Sequence, residues 1–411
     1  MKRPEVVGKR LENRIYFKDP DIDFWLQAFV LGYSAYGGAT MGEAFYAAAR
    51  VDEKNLETWA NEWDTLASRV ERQAVESLQH DHRSSAMQAF LRAYTYYRAA
   101  SLALRYADPR FSETINKMQR CFENFARLCQ PTIEVIRVPY EDGFLSGYFM
   151  KAGADAQQKP TYIPVGGGET FAGDLYFWGG AAGHARGYNV ILIDFPGQGA
   201  TAFAGLQHRH DTEVPMRWVV DYLVSRPDVD PEKIIASGVS LGGYIALRAV
   251  SFEKRIRACA LSTPIVDWHQ TLVDAMPRAL KLAPSLLAGA VTKLAGIFAP
   301  TQLIAFEKFF EWQTGAKDLG EALEKFKHYR VDVEQIACPT LCLVGDGEDQ
   351  TFKTQTHLCH ERLRSPKKLI AFSAEQGADA HCQANNLPYA HQVMFDWFDE
   401  ILSGRSAGEL S

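Results

Sequence analysis

Residues 233–247 read Lys-Ile-Ile-Ala-Ser-Gly-Val-Ser-Leu-Gly-Gly-Tyr-Ile-Ala-Leu: a β-branched apolar run, a G-x-S-x-G turn, and the start of a helix. No other segment constrains the chain as much. A turn this sharp needs small residues two before and two after Ser240, here Gly238 and Gly242, because the strand and helix it joins crowd one another. It also holds the Ser240 hydroxyl above a helix N-terminus, where free N–H groups and the helix dipole stabilise negative charge. A glycine-rich connection with an incidental serine is the bland alternative. The strand before the turn and the helix after it favour a nucleophile.

A serine hydroxyl is a weak nucleophile at neutral pH unless a histidine takes its proton and an acid orients that histidine. Both partners are expected downstream of Ser240. His381 lies in Glu-Gln-Gly-Ala-Asp-Ala-His-Cys-Gln at 375–383, after the last predicted strand and before a terminal helix over 388–402, where a base belongs. His357, His360 and His391 fall within predicted helices. The acid is expected in Gly345-Asp346-Gly347-Glu348-Asp349, which follows the predicted strand ending at Val344. Counting three residues from Gly345 selects Glu348; one extra turn residue selects Asp349, which is preferred because aspartate is the commoner residue in this role. Two backbone N–H donors must hold the oxyanion, one from Leu241 and one from Gly167 or Gly168 in the loop at 163–169. That glycine run has neither a GK[ST] ending nor a G-x-G-x-x-G register, so phosphate binding is disfavoured. His208 and His210 have no third ligand beside them in sequence, and no metal or cofactor is expected.

Chain length and periodicity place this motif in the second of two domains. The 411 residues exceed one domain of roughly 100 to 200. Over 22–130 apolar residues recur at three and four positions, with Met87, Phe90, Leu91, Tyr94, Tyr97 and Leu102 on one face and Arg92 and Arg98 off it. Helices are predicted at 55–78, 82–106 and 111–128, and no second copy follows at the spacing a helical repeat needs. From residue 132 short β-rich runs replace this pattern, at 133–138, 143–150, 161–165, 189–195, 233–237, 258–262, 339–344 and 368–372. The first two read as an antiparallel hairpin. The rest lack in/out alternation and are separated by helix-length segments, as strands buried on both faces of a parallel sheet are. The expected architecture is α/β: a mostly parallel eight-stranded sheet covered by helices over 132–411, a helical domain over 1–131, and a helical insertion over 268–330.

Composition narrows the function. With 47% hydrophobic and 12% aromatic residues the chain has ample material for a core, and 44 Lys+Arg against 50 Asp+Glu give a net charge of −6, which argues against nucleic acid or anionic lipid as partner. The N-terminus is charged and lacks the apolar core of a secretory signal, and the weakly charged stretch 282–306 is broken by Pro284, Lys293 and Pro300, so no membrane anchor is expected. Seven dispersed cysteines without C-x-x-C pairs suggest reduced thiols in a cytoplasm.

With the order Ser240, acid, His381, residues 132–405 resemble an α/β-hydrolase. The helical front, the glycine loop ending in Glu169, Ser-Leu-Gly-Gly at Ser240 and Asp-Ala-His-Cys at 379–382 together resemble the FrsA-like branch, which includes 2,6-dihydroxypseudooxynicotine hydrolase and polyketide-shortening hydrolases. The resemblance implies an α/β-hydrolase fold and hydrolysis of a carbon–carbon bond beside a ketone. It implies a roof over the site, made by the helical domain and the insertion, and an apolar or aromatic small-molecule substrate. Glu169, Tyr176 and Tyr244 are the side chains expected to touch that substrate, Glu169 either polarising a hydroxyl or capping a helix. A carboxylesterase or acyl-aminoacyl peptidase would use the same residues, and a catalytically silent interaction protein would need none of them. A homodimer and a carrier protein are left open as further partners.

Overall fold

The computed structural model describes residues 10–11, 13–154, 157–275 and 300–404. Most of the charged N-terminal segment and most of the 282–306 stretch fall outside these residues. The chain forms two compact units, one of Asn13–Val135 with Thr292–Lys308, the other of Ile136–Val291 and Phe309–Ser411 with the first twelve residues. The chain therefore crosses between units inside the expected insertion, not only near residue 132.

The first unit is built on three long helices, α1 (Leu56–Gln79), α2 (Arg83–Leu102) and α3 (Pro109–Leu128). The starts of α1 and α3 have a local cause. The Asn55 side chain accepts from Glu57 N at 3.2 Å, and Asp108 accepts from Arg110 N at 2.9 Å with Pro109 in the first turn, so orphan N–H groups are satisfied as each helix begins. Helix α2 packs between α1 and α3, and every residue from Ala93 to Leu102 is buried. Arg98, expected off the buried face, is thus inside: it is 2% exposed, with its guanidinium 4.7 Å from the centre of the Phe29 ring. Over this half of the helix there is no solvent face for periodicity to report. At the C-terminal end of α2, the buried Lys308 ammonium donates to Ser101 O at 2.7 Å and Leu102 O at 3.2 Å, where the helix dipole favours a cation.

The second unit holds an eight-stranded sheet: β1 (Glu134–Tyr140), β2 (Gly143–Met150), β3 (Lys159–Val165), β4 (Asn189–Ile193), β5 (Val229–Val239), β6 (Ile256–Ser262), β7 (Thr340–Gly345) and β8 (Lys367–Phe372). The strand order is β1-β2-β4-β3-β5-β6-β7-β8. Strand β2 runs antiparallel to β4, and every pairing from β4 to β8 is parallel. All five residues of β4 and all six of β7 are buried, which is why these runs show no alternation. Because β3 separates β4 from β5, the order of winding reverses there, and in open sheets of this kind ligands bind at the carboxyl ends beside that reversal. Three further helices matter for the site: α4 (Leu241–Phe252), α5 (Gln350–Arg362) and α6 (Leu387–Leu402). The described parts of the 268–330 segment are helical at Trp268–Ala275, Pro300–Phe306 and Leu319–Phe326, with a π-helix over Glu307–Gln313.

Candidate active site

The parallel register decides which side chains can meet. Val165 pairs with Gly238, Val239 with Ser262, Ser262 with Leu343, and Gly345 with Phe372, so the loops leaving β3, β5, β6, β7 and β8 emerge along one edge. The glycine loop, Ser240, Glu348 and His381 are carried by four of them.

Ser240 occupies the single-residue turn between β5 and α4 at φ 54° and ψ −123°. Side chains avoid this region, at a cost of about 1–3 kcal/mol that the surroundings must offset. They do so by close backbone packing. The Ser240 N–H donates to Ser262 O at 2.8 Å, and a methyl group on Gly238 or Gly242 would stand 2.1 Å from Gly242 O or 2.3 Å from Val165 O. Gly243 is tighter still, with an added methyl 1.9 Å from Thr263 O. Gly243→Ala should therefore lower the unfolding free energy by about 3 kcal/mol, because only backbone can give way; urea denaturation of the variant measures this. Gly167 faces the serine, its added methyl lying 3.2 Å from Ser240 Cβ and 3.7 Å from Oγ. Leu241 begins α4, and its N–H is the adjacent backbone donor.

In the turn after β7 the two candidate carboxylates are held differently, and the preferred Asp349 does not face His381. Asp349 is the N-cap of α5: its Oδ1 accepts from Thr351 N and from Thr351 Oγ1, both at 2.8 Å. Asp346 is exposed. Glu348 is the buried carboxylate, 3% exposed, with Oε2 at 3.6 Å from His381 Nδ1. It is fixed from two more sides, Thr263 Oγ1 donating to Oε2 at 2.7 Å and Cys382 N donating to Oε1 at 3.1 Å. Asp349 next to Gln-Thr at a helix start is an N-cap signal, and it would have selected Glu348 by elimination. Thr263, distant in sequence from Glu348, carries no such local signal.

His381 is buried in a loop whose next two residues, Cys382 and Gln383, take left-handed φ values of 56° and 53°. That turn aims the Cys382 N–H at Glu348 and the Cys382 thiol at Ser262 O, 3.1 Å away. The Ser262 carbonyl thus accepts from both Ser240 N and Cys382 Sγ, tying the Ser240 turn to the histidine loop. The ring of Phe352 lies 4.7 Å from the imidazole, and Arg10 O accepts from His381 N at 2.9 Å. Burial alone would lower the His381 pKa; the Cys382 sulfur and the Glu348 carboxylate outweigh it and raise it above the usual imidazole value. His357 and His360 lie on α5 and the buried His391 on α6, as their predicted helical positions require.

The side chains expected to touch substrate are spread unevenly. Glu169, half-buried, directly follows the glycine loop, and Tyr176, also half-buried, ends the short 3-10 helix Ala172–Tyr176. Tyr244 is a correction. It is fully buried in the core of the sheet unit, its hydroxyl donating to His210 O at 2.6 Å and its ring 5.2 Å from that of Tyr329. The neighbours of Tyr176 are likewise core: Phe177 is 0% and Trp178 7% exposed. What stands against the glycine loop instead is Phe309, whose ring would meet a methyl on Gly168 at 3.0 Å. Phe309 stacks on Phe326 at 5.7 Å and packs edge-on against Trp268 at 5.9 Å. His208, one of the two histidines considered for metal, lies against Phe309, and burial pushes its pKa down to about 4.

Comparison with known proteins finds relatives of the whole chain. A family model described as FrsA-like, esterase FrsA-like, matches residues 51–290. Hydrolase ORFZ of Pyricularia oryzae is 26% identical, over 94% of this chain and 97% of its own. The 20-hydroxy-prefusarin hydrolase FUS2 of Gibberella moniliformis is 27% identical, over 91% and 95%. Among solved structures, 2,6-dihydroxy-pseudo-oxynicotine hydrolase superposes with a TM-score of 0.71 at 21% identity, covering 90% of this chain and 95% of that one.

Proposed function

The chain belongs to the FrsA-like family of α/β-hydrolases, and from that premise we propose that Ser240, His381 and Glu348 act as nucleophile, base and orienting acid in cleaving a carbon–carbon bond beside a ketone. The observation that carries this reading is the convergence on the Ser262 carbonyl, which links the Ser240 turn to the loop in which His381 faces Glu348. Ser240 Oγ attacks the ketone carbon while His381 takes its proton. Leu241 N–H and the N–H of Gly167 or Gly168 hold the oxyanion. Collapse of the tetrahedral state breaks the carbon–carbon bond; the carbon leaving group departs as an enolate and takes a proton from the imidazolium. Water, deprotonated by His381, then releases the acyl group from Ser240 as a carboxylic acid.

The aromatic cluster of Phe309, Phe326 and Trp268 beside Gly168 supports an apolar or aromatic substrate, since an enolate leaving group needs fixed donors screened from bulk water. Relatives named for 20-hydroxy-prefusarin and 2,6-dihydroxy-pseudo-oxynicotine support an oxygenated organic molecule. The plain esterase reading draws on the description of the family model itself. A panel setting aryl β-diketones beside p-nitrophenyl acetate separates the two. A higher kcat/KM on a diketone is expected, with carboxylic acid and ketone formed in equal amounts; hydrolysis of the ester alone would assign the protein as an esterase.

A further inference from the structure

The three carbonyls of the glycine loop are all held by glutamine side chains from elsewhere in the sheet unit. Gln198 Nε2 donates to Gly166 O at 2.6 Å and to Gly167 O at 2.8 Å, while its own Oε1 accepts from Phe195 N at 3.3 Å. Gln313 Nε2 donates to Gly168 O, and its main-chain carbonyl accepts from His208 N at 2.9 Å. Each glutamine is 2% exposed. Gln198 sits in the turn after β4, and Gln313 at the end of the π-helix Glu307–Gln313.

In a trans peptide the carbonyl of one residue and the N–H of the next point in opposite directions within one rigid plane. Holding Gly166 O and Gly167 O therefore sets the directions of the Gly167 and Gly168 N–H groups, the two candidate oxyanion donors. Holding Gly168 O sets that of Glu169. Within the loop itself, Gly167 O also accepts from Thr170 N, at the longer distance of 3.3 Å. Glycine is favoured at Gly167 and Gly168, where added methyls would stand 3.2 Å from Ser240 Cβ and 3.0 Å from the Phe309 ring, and glycine leaves the peptide planes free to turn. Oxyanion donors work only when they are aimed before the charge develops.

We propose that Gln198 and Gln313 are positioning residues for the oxyanion hole, a clamp of two side-chain amides that fixes the peptide planes of Gly166 to Gly168; this rests on the serine-hydrolase reading above. Gln198 governs both candidate donors and Gln313 acts one peptide further on, so the two are unequal. A purely structural role, that of satisfying buried carbonyls, would move stability and leave the chemistry alone.

The test uses the full-length protein and an alkyl fluorophosphonate, whose reaction with a serine passes through an oxyanion, with kinact and KI measured separately and thermal unfolding followed in parallel. Gln198→Met should lower kinact on the order of 10²-fold, the loss associated with one oxyanion donor, with KI nearly unchanged. Gln313→Met should lower it less. Gln198→Glu keeps the side-chain volume and the acceptor for Phe195, but turns a carboxylate on two carbonyls. Its rate relative to wild type should be lowest in alkaline buffer and recover as the buffer is made acidic enough to protonate it. Folded variants that label at the wild-type kinact, or that lose rate only through KI, overturn the clamp. Should Gln198→Met not fold, Gln313→Met and the pH recovery of Gln198→Glu decide the matter on their own. A wild-type protein that is not labelled overturns the serine-hydrolase reading and the clamp with it.

Discussion

Ser240→Ala should lower kcat by about 10⁶-fold, to the rate that binding and the oxyanion hole alone sustain. The fold should be almost unaffected, since the change removes a single hydroxyl and leaves the packing of Gly238, Gly242 and Gly243 untouched. Steady-state turnover, fluorophosphonate labelling and thermal unfolding of the same preparation give the three readings. His381→Ala should be equally damaging, and the double variant no slower than either single one, because groups that act on one proton do not contribute additively. Retention of a tenth of the activity in Ser240→Ala would rule out a covalent role for that hydroxyl.

The second large effect separates two neighbouring carboxylates. Glu348→Gln should lower kcat by about 10⁴-fold, because an amide facing His381 Nδ1 no longer favours the tautomer and charge the base needs. Asp349→Asn should leave activity close to wild type, since asparagine caps a helix as well as aspartate does, while Asp349→Ala should cost about 1 kcal/mol of stability. The pH profile adds a sign. A histidine whose pKa is raised on folding contributes stability below its unfolded value, and that contribution is lost as pH rises through the raised one. The neutral base appears over the same rise, so the limb of kcat/KM that reports His381 should lie above the usual imidazole range. Removing the Glu348 charge should move that limb down. An unmoved limb, or a full loss in Asp349→Asn instead, would return the role to Asp349.

The strands from β3 onward, the serine turn and the histidine loop were legible because each is written in a few consecutive residues: unbroken apolar runs, glycines around Ser240, and a histidine between the last strand and the last helix. The features that escaped are those decided by competition or by distance. Glu348 and Asp349 fit the same turn when counted from Gly345. What separates them is that α5 takes Asp349 for its first N–H groups, leaving Glu348 to Thr263 and Cys382. Tyr244 sits one helical turn beyond Ser240 and looked close enough to reach substrate, yet its ring and hydroxyl both turn into the core. Arg98 breaks the apolar periodicity of α2 because that helix is covered on both sides. Gln198 and Gln313 belong to separate elements, and no spacing in the sequence brings either to the glycine loop.

The order of the strands also fixes a sequence of events in the life of each molecule. From β5 to β8 the sheet widens by one strand at a time in the direction of synthesis, and His381 follows the last of them. On the proposed triad, a ribosome that has delivered Ser240 has made a turn with no proton acceptor beside it, and β7 and β8 must dock before one arrives. A polypeptide that stalls or is cut between β6 and β8 should then be inert toward the metabolites around it, rather than a loose and indiscriminate hydrolase. Turnover in a cell extract should count only molecules whose synthesis ran past β8.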